Sequence, residues 1–331
     1  MVSNQLICSD WKEDLFMYNL KKEYSDEILK NNPDFNLEFI NCPNLPKYNK
    51  NASIYFGNRV SEEILKKMPK IKWVHFGSIG TEKLSAEFIK SRKLTITNSR
   101  GTMETAVASS ALSLLFSLSR GINLIPSLEK DKNFNRKFVD QHIDQICDVM
   151  DREFSILGFG PISQTFIKMI SGFSGKIKVL TRTKRTDKEN INFFELKDYK
   201  KCLKGSKFIV NFLPHTKDTN QYVNEDFINN IDKNSIYINV GRHTTNDELQ
   251  LIKSVKSGKL SGVGLDVFDK ENIYYKEMLK NSSFVLTPHI ASLSKSYWRK
   301  QIDIINSNLS FYKKSSFKNM SNLIYLEGDS I

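Results

Sequence analysis

Short apolar runs alternate with helix-like stretches along the chain. β-Branched and aromatic residues gather at 5–8 (QLIC), 36–40 (NLEFI), 53–56 (SIYF), 72–76 (KWVHF) and 94–97 (LTIT). Helix-like stretches separate them, as at 61–68 (SEEILKKM) and 81–90 (TEKLSAEFIK). Ser61 and Thr81 open these two as N-caps, each with an acid following in the first turn. Strands separated by helices predict a parallel sheet with crossovers. Residues 102–119 read as a long, mostly apolar and therefore buried helix. After a charged stretch at 128–138 the alternation restarts, with strands expected at 154–157, 178–180, 208–213, 235–240, 262–268 and 283–289. These runs are more continuously apolar, as for strands covered on both faces. The pattern therefore gives two α/β units, about 1–100 and 101–290, and a last helix in the tail that returns to the first unit.

Composition narrows the classes. Apolar residues are 40% of 331, with 22 Phe, enough for packed cores and against wholesale disorder. Lys and Arg number 49 against 37 acids, a net +12, but Lys is spread along the whole chain. A nucleic-acid binder concentrates its basic residues on one stripe, so no nucleic-acid partner is expected. Cys8, Cys42, Cys147 and Cys202 form no Cys-x-x-Cys pair and lie at no metal spacing from a His, so neither a metal site nor a disulfide framework is expected. The first residues lack the charged-then-apolar order of a signal peptide, and 106–119 is too short and too Ser-rich to span a bilayer. No membrane association and a cytoplasmic location are the expectations.

The sharpest local motif is FSILGFGPIS. An apolar strand runs into Gly158-Phe159-Gly160, then Pro161-Ile162-Ser163 opens a helix. Glycines there allow a tight turn and close approach to a pyrophosphate, and the helix start offers N–H groups and a positive dipole end. Ser163 stands where a third glycine of the dinucleotide fingerprint is usual. The next strand ends in Thr181-Arg182-Thr183-Lys184, with no acid before Asp187. An acid at that point would hold the ribose 2′-hydroxyl of NAD; cations and hydroxyls suit the 2′-phosphate of NADP instead, with NAD as the alternative.

Three further strand ends bring charge together. Val240-Gly241-Arg242 closes one, Asp266 with Glu271 beyond it closes another, and Thr287-Pro288-His289 a third. Ligands of open parallel sheets bind beyond the carboxyl ends of the strands. An Arg to bind a carboxylate and polarise a carbonyl, a His to give a proton, and a carboxylate to orient that His and favour its charged form suit reduction of a 2-oxo acid.

Over 208–292 (FIVNFLPHTKDTNQYVNEDF, INVGRHTTNDELQLIKSVKSGKLSGVGLDVF, VLTPHIAS), and more thinly through the glycine turn and 72–84, the chain resembles the D-isomer-specific 2-hydroxyacid dehydrogenase family. The VLTRTKR stretch is most similar to its glyoxylate/hydroxypyruvate reductase branch, which prefers NADPH. The resemblance implies two flavodoxin-like or Rossmann-like domains, each a doubly wound parallel sheet. A cofactor domain (101–290) would be inserted in a substrate domain made of 1–100 and 291–331. It implies Arg242, Glu271 and His289 as the catalytic set, and Asp266 against the nicotinamide carboxamide. Leu213, Pro214 and Val240 would complete the cofactor site. Ser78, Ile79 and Gly80 would form the loop whose N–H groups hold the substrate carboxylate. A homodimer is implied too, and 120–150 is longer than a connector needs to be.

Departures from the pattern are Ser163, His243 after the Arg, where the family has Gly, and Ser109-Ser110 in place of Glu-His. The sequence before residue 70 matches poorly. The expected activity is NADPH-dependent reduction of a small 2-oxo acid to a D-2-hydroxy acid. The alternatives are NAD-linked oxidation of a hydroxy acid such as phosphoglycerate, and a nucleotide-sensing interaction protein on the same fold.

Overall fold

The computed structural model describes residues 5–11, 15–39, 49–81, 83–125 and 136–326. Residue 40, residue 82 and most of the charged stretch 128–138, with part of the 120–150 segment, lie outside them. Two compact units divide the chain. One is Met1–Met103 with Leu293–Ile331, the other Glu104–Ser292.

The first unit has a six-stranded sheet. Its strands are β1 (Gln5–Ser9), β2 (Phe35–Phe39), β3 (Ile54–Gly57), β4 (Trp73–Phe76), β5 (Thr95–Asn98) and β13 (Leu323–Tyr325), in the order β13-β5-β4-β3-β1-β2. The first five are mutually parallel in the doubly wound order 2-1-3-4-5. The chain reverses sheet direction between β1 and β3, which makes their carboxyl ends the switch point. β13 pairs antiparallel with β5, a strand that the alternation did not predict: three residues carry too little periodicity to be seen. Ser61 caps its helix as expected, accepting from Ile64 N–H. The second helix departs from expectation. It begins at Ala86 with Ser85 as N-cap, because the Ser85 hydroxyl accepts from Phe88 N–H and is itself held by Glu62, while Thr81 only closes a turn with Leu84. The tail helix Tyr297–Lys313 packs on the helix Lys22–Asn31 of this unit.

Under that helix lies a polar knot inside an aromatic core. His75, fully buried, meets Thr97 Oγ1 through Nδ1 (2.8 Å) and the Gln301 amide through Nε2 (2.6 Å), and Trp73 Nε1–H donates to the same Thr97 oxygen. Burial pushes the imidazole down to about 3. The folded state thus holds His75 neutral, and its contribution to stability is complete above the free value of about 6.5 and declines as pH falls. The loss should approach about 1.4 kcal/mol per pH unit below 6.5. All three tryptophans (Trp11, Trp73, Trp298) lie buried in this unit, so their fluorescence reports its unfolding. Urea midpoints followed that way should fall between pH 7 and pH 5 more steeply in the wild type than in His75→Gln; parallel curves would refute the assignment.

The second unit has a seven-stranded, all-parallel sheet. Its strands are β6 (Glu153–Leu157), β7 (Ile177–Thr181), β8 (Ile191–Glu195), β9 (Ser206–Asn211), β10 (Ser235–Asn239), β11 (Leu260–Leu265) and β12 (Phe284–Leu286). The order β12-β11-β10-β9-β6-β7-β8 is doubly wound, with its switch point between β6 and β9. β8 was not predicted; its residues are only half-buried and lack the apolar run of its neighbours. The helix Glu104–Ser119 packs across β10 and β11. Among the described residues, no helix is long and apolar enough to cross a membrane.

Candidate active site

The strands of the second unit stop short of the expected boundaries, and the reason is side-chain chemistry. Asn211 and Asn239 end β9 and β10, and the Oδ1 of each accepts the N–H two residues on, from Leu213 (2.9 Å) and Gly241 (2.8 Å). This local bond competes with the ladder and turns the chain out of the sheet. Buried cross-links brace both turns. Asn211 Nδ2 donates to Tyr237 Oη and Thr245 Oγ1, Tyr237 Oη to Asn246 Oδ1, and Asn239 Nδ2 to the Arg242 carbonyl. Val240, Arg242, Leu213 and Pro214 therefore sit on braced turns at the carboxyl edge. Asn211 and Thr245 carry no motif in the sequence beyond the Asn that closes each of two apolar strands.

The glycine turn follows β6. Gly158 is left-handed (φ +96°), and a Cβ added there would lie 3.5 Å from the Phe212 backbone of the next strand end. Nothing lies within 4 Å of a Cβ built on Gly160, which leaves open space above the helix Pro161–Ile170. Ser163 does work that a third glycine could not: its Oγ accepts Gly160 N–H (2.9 Å) and donates to the Gly160 carbonyl (3.0 Å). Pro161 in the first turn lacks an N–H and Gln164 N–H donates to the Gly160 carbonyl, so the free donors of the helix start are those of Ile162 and Ser163.

At the end of β7, buried Thr181 donates to the Thr183 carbonyl (2.6 Å) and fixes the turn. Arg182 and Lys184 are exposed, with no partner among the described residues. Arg185 lies over the Phe159 ring at 4.8 Å, so this cation faces the glycine turn. Asp187, the first acid, is committed elsewhere: it accepts Phe193 N–H (2.7 Å) and Asn192 Nδ2 (2.9 Å), bonds that hold its carboxyl below the usual range.

Asp266 organises the segment beyond β12. Its Oδ1 accepts from Thr287 Oγ1 (2.7 Å) and Ile290 N–H (2.9 Å), and its Oδ2 from Ala291 N–H (3.0 Å). Its carbonyl accepts His289 N–H (3.0 Å). His289 is thereby fixed in a left-handed conformation (φ +58°) with its side chain exposed. Ser110, one of the two departures in the long helix, donates to the Ala291 carbonyl and steadies the same segment.

No hydrogen bond or ion pair joins Glu271 to His289 among the described residues, although the sequence suggested one. Glu271 is exposed, and its N–H donates to Asp269 Oδ1. The acid that does hold this turn is Glu248, buried, accepting from Asp269 N–H (2.9 Å) and Asn272 Nδ2 (2.8 Å). Burial pushes its carboxyl up. His243 starts a short 3-10 turn without a left-handed φ, so the position has no need of glycine.

In the first unit, all three carbonyls of Ser78, Ile79 and Gly80 are engaged, by Ser99 N–H, Asn98 Nδ2 and Ser78 Oγ respectively. Their three N–H groups have no acceptor among the described residues, an arrangement that suits an anion.

A family model for the NAD-binding domain of D-isomer specific 2-hydroxyacid dehydrogenases matches residues 112–291. This chain belongs to that family. It is accordingly an NAD(P)-dependent oxidoreductase. A glyoxylate reductase of Thermococcus litoralis is 30% identical over 259 residues, 78% of each chain. Among solved structures, D-lactate dehydrogenase of Aquifex aeolicus, complexed with NAD and lactic acid, superposes with a TM-score of 0.77 at 21% identity, covering 98% of this chain and 100% of that one. The NADPH-dependent glyoxylate/hydroxypyruvate reductase of Sinorhizobium meliloti, complexed with NADP and malonate, gives 0.77 at 19%, covering 99% and 100%. At these identities the two structures speak to the fold alone. The dinucleotide fits the site by its chemistry: open space over a glycine turn, donors at a helix start, and uncommitted cations at the end of β7.

Proposed function

We propose that this chain reduces a small 2-oxo acid to the D-2-hydroxy acid with NADPH, and that His289 gives the proton. The observation that carries this reading is the delivery of Arg242, Asp266 and His289 by the ends of three adjacent strands, β10, β11 and β12, to the sheet edge that also bears the glycine turn. The bound nicotinamide supplies a hydride. Arg242 binds the acid and draws electron density from its carbonyl oxygen, and His289 protonates that oxygen as charge develops on it. Gly158 to Ile162, with Leu213, Pro214 and Val240, line the cofactor. The N–H groups of Ser78, Ile79 and Gly80 receive a carboxylate. Glu271 enters as the partner of His289 only if its turn, held by Glu248, shifts when substrate binds.

The preference for NADPH rests on the end of β7, where no acid is free and two cations are. Arg182→Ala should weaken use of NADPH about ten- to hundredfold more than use of NADH, since a hydrogen bond to a charged group is worth about 1.5–3 kcal/mol. Initial rates with each nucleotide test it; equal losses would remove the 2′-phosphate from this site. The activity itself is tested by following NADPH and NADH oxidation with glyoxylate, hydroxypyruvate, pyruvate and bulkier 2-oxo acids.

A further inference from the structure

Three cations stand at 182, 184 and 185, and one of them is already held against the glycine turn. The Arg185 guanidinium lies 4.8 Å over the ring of Phe159, the residue between Gly158 and Gly160. No hydrogen bond or ion pair engages Arg185 among the described residues, so its N–H donors remain available. Arg182 and Lys184 have no contact there that fixes where they point.

The ring is itself anchored, and by the strand that receives the arginine's own loop. Phe159 is half-buried and meets the Phe193 ring edge to face, with centroids 4.9 Å apart and planes at 84°. Phe193 N–H donates to Asp187 Oδ1 (2.7 Å) and Asn192 Nδ2 to Asp187 Oδ2 (2.9 Å), just beyond Arg185 in the chain. Lys188 and Ile191 exchange backbone bonds (2.9 and 3.0 Å) and close the turn into β8. At the other end, the Thr181 hydroxyl holds the Thr183 carbonyl (2.6 Å). Residues 181–187 thus form a loop tied at both ends, with Arg185 laid on the aromatic side chain of the glycine turn.

We infer that Phe159 is a positioning residue for nucleotide choice: its ring holds Arg185 ready for the 2′-phosphate of NADPH and so makes Arg185 a ligand of that group beside Arg182. This role presupposes the preference for NADPH. An exposed arginine loses rotamer freedom when it grips a phosphate, and one already resting on a ring has lost part of it beforehand. A guanidinium presents a planar fork to phosphate oxygens and packs on aromatic rings, a combination that a lysine ammonium does not offer. Asp187 does not compete for it, being taken up by Phe193 and Asn192. A neutral ring on the β6 turn thereby acts on the one charged group that separates NADPH from NADH.

Binding without turnover tests this. Titration with NADPH or NADH in the absence of any 2-oxo acid, followed by nucleotide fluorescence, gives a ratio of dissociation constants for each variant. Arg185→Ala should lower the preference for NADPH by about tenfold or more, as loss of a hydrogen bond between charged groups does. Phe159→Leu should lower it about two- to fivefold, the scale of an exposed cation–π contact, while Phe159→Tyr keeps a ring and the wild-type ratio. In the Arg185→Ala background, Phe159→Leu should change the ratio no further. Both nucleotides use the same glycine turn, so general damage there moves both constants together and leaves the ratio alone. An unchanged ratio in Arg185→Ala overturns the inference. Equal effects of leucine and tyrosine at 159, or an undiminished effect of leucine without Arg185, do the same. If only Arg182→Ala lowers the preference, the NADPH reading stands and this inference falls; a wild type that binds NADH as tightly as NADPH brings down both.

Discussion

Replacing His289 with alanine should lower turnover on the best 2-oxo acid about a hundred- to ten-thousandfold, the scale on which a positioned proton donor acts. The expectation comes from placement. His289 stands on a segment whose backbone is bonded to Asp266 and Thr287, and its side chain is exposed at the sheet edge and free of partners among the described residues. Such a group is held in place yet uncommitted, as a donor to an incoming carbonyl must be. The left-handed backbone complicates the alanine variant, because alanine tolerates φ +58° poorly. Asparagine tolerates it better and cannot give the same proton. His289→Asn should therefore be as inactive as His289→Ala while unfolding at the wild-type temperature. Near-normal turnover in His289→Asn would remove this residue from the reaction.

Asp266→Asn should cost about a hundredfold in kcat with His289 intact. The carboxylate is 2% exposed and accepts three hydrogen bonds from Thr287, Ile290 and Ala291, the residues that flank His289. An amide has one acceptor oxygen, and its NH2 would face an N–H donor, so at least one bond turns repulsive. A displacement of about 1 Å in a catalytic group is enough for a hundredfold loss. These bonds predict a positioning role for Asp266, and the kinetic signature separates this role from the carboxamide contact that the family resemblance implies. Loss through His289 lowers kcat and leaves KM for NADPH near its wild-type value; loss of a nicotinamide contact raises that KM. Both parameters from one titration decide between them.

Much of this arrangement is legible in the sequence, and the illegible part has physical causes. Apolar runs of four or more residues mark the central strands because those are covered on both faces. β8 and β13 lie at sheet edges, half-buried and short, and leave no such trace. Candidate site residues are readable where their spacing follows a strand, as for Gly158, Arg242 and His289. The residues that set their positions are read less easily. Asn211, Asn239 and Asp266 act through bonds to backbone one turn or one strand away, and only folding shows which N–H groups they meet. Glu248 is harder still, since it holds the 269–272 turn from a helix 21 to 24 residues earlier in the chain. Thr81 misleads because Ser85 competes for the same cap and gains Glu62 as a second partner.

Hydride transfer is the centre of the account, and isotope labelling tests it most directly. NADPH deuterated at the reactive carbon of the nicotinamide is oxidised by hydroxypyruvate or pyruvate in the presence of the enzyme, and the product is examined by mass spectrometry and chiral chromatography. One deuterium is expected on C2 of a hydroxy acid of D configuration. Bound and retained nucleotide with no deuterium in any product, or product of L configuration, would contradict it.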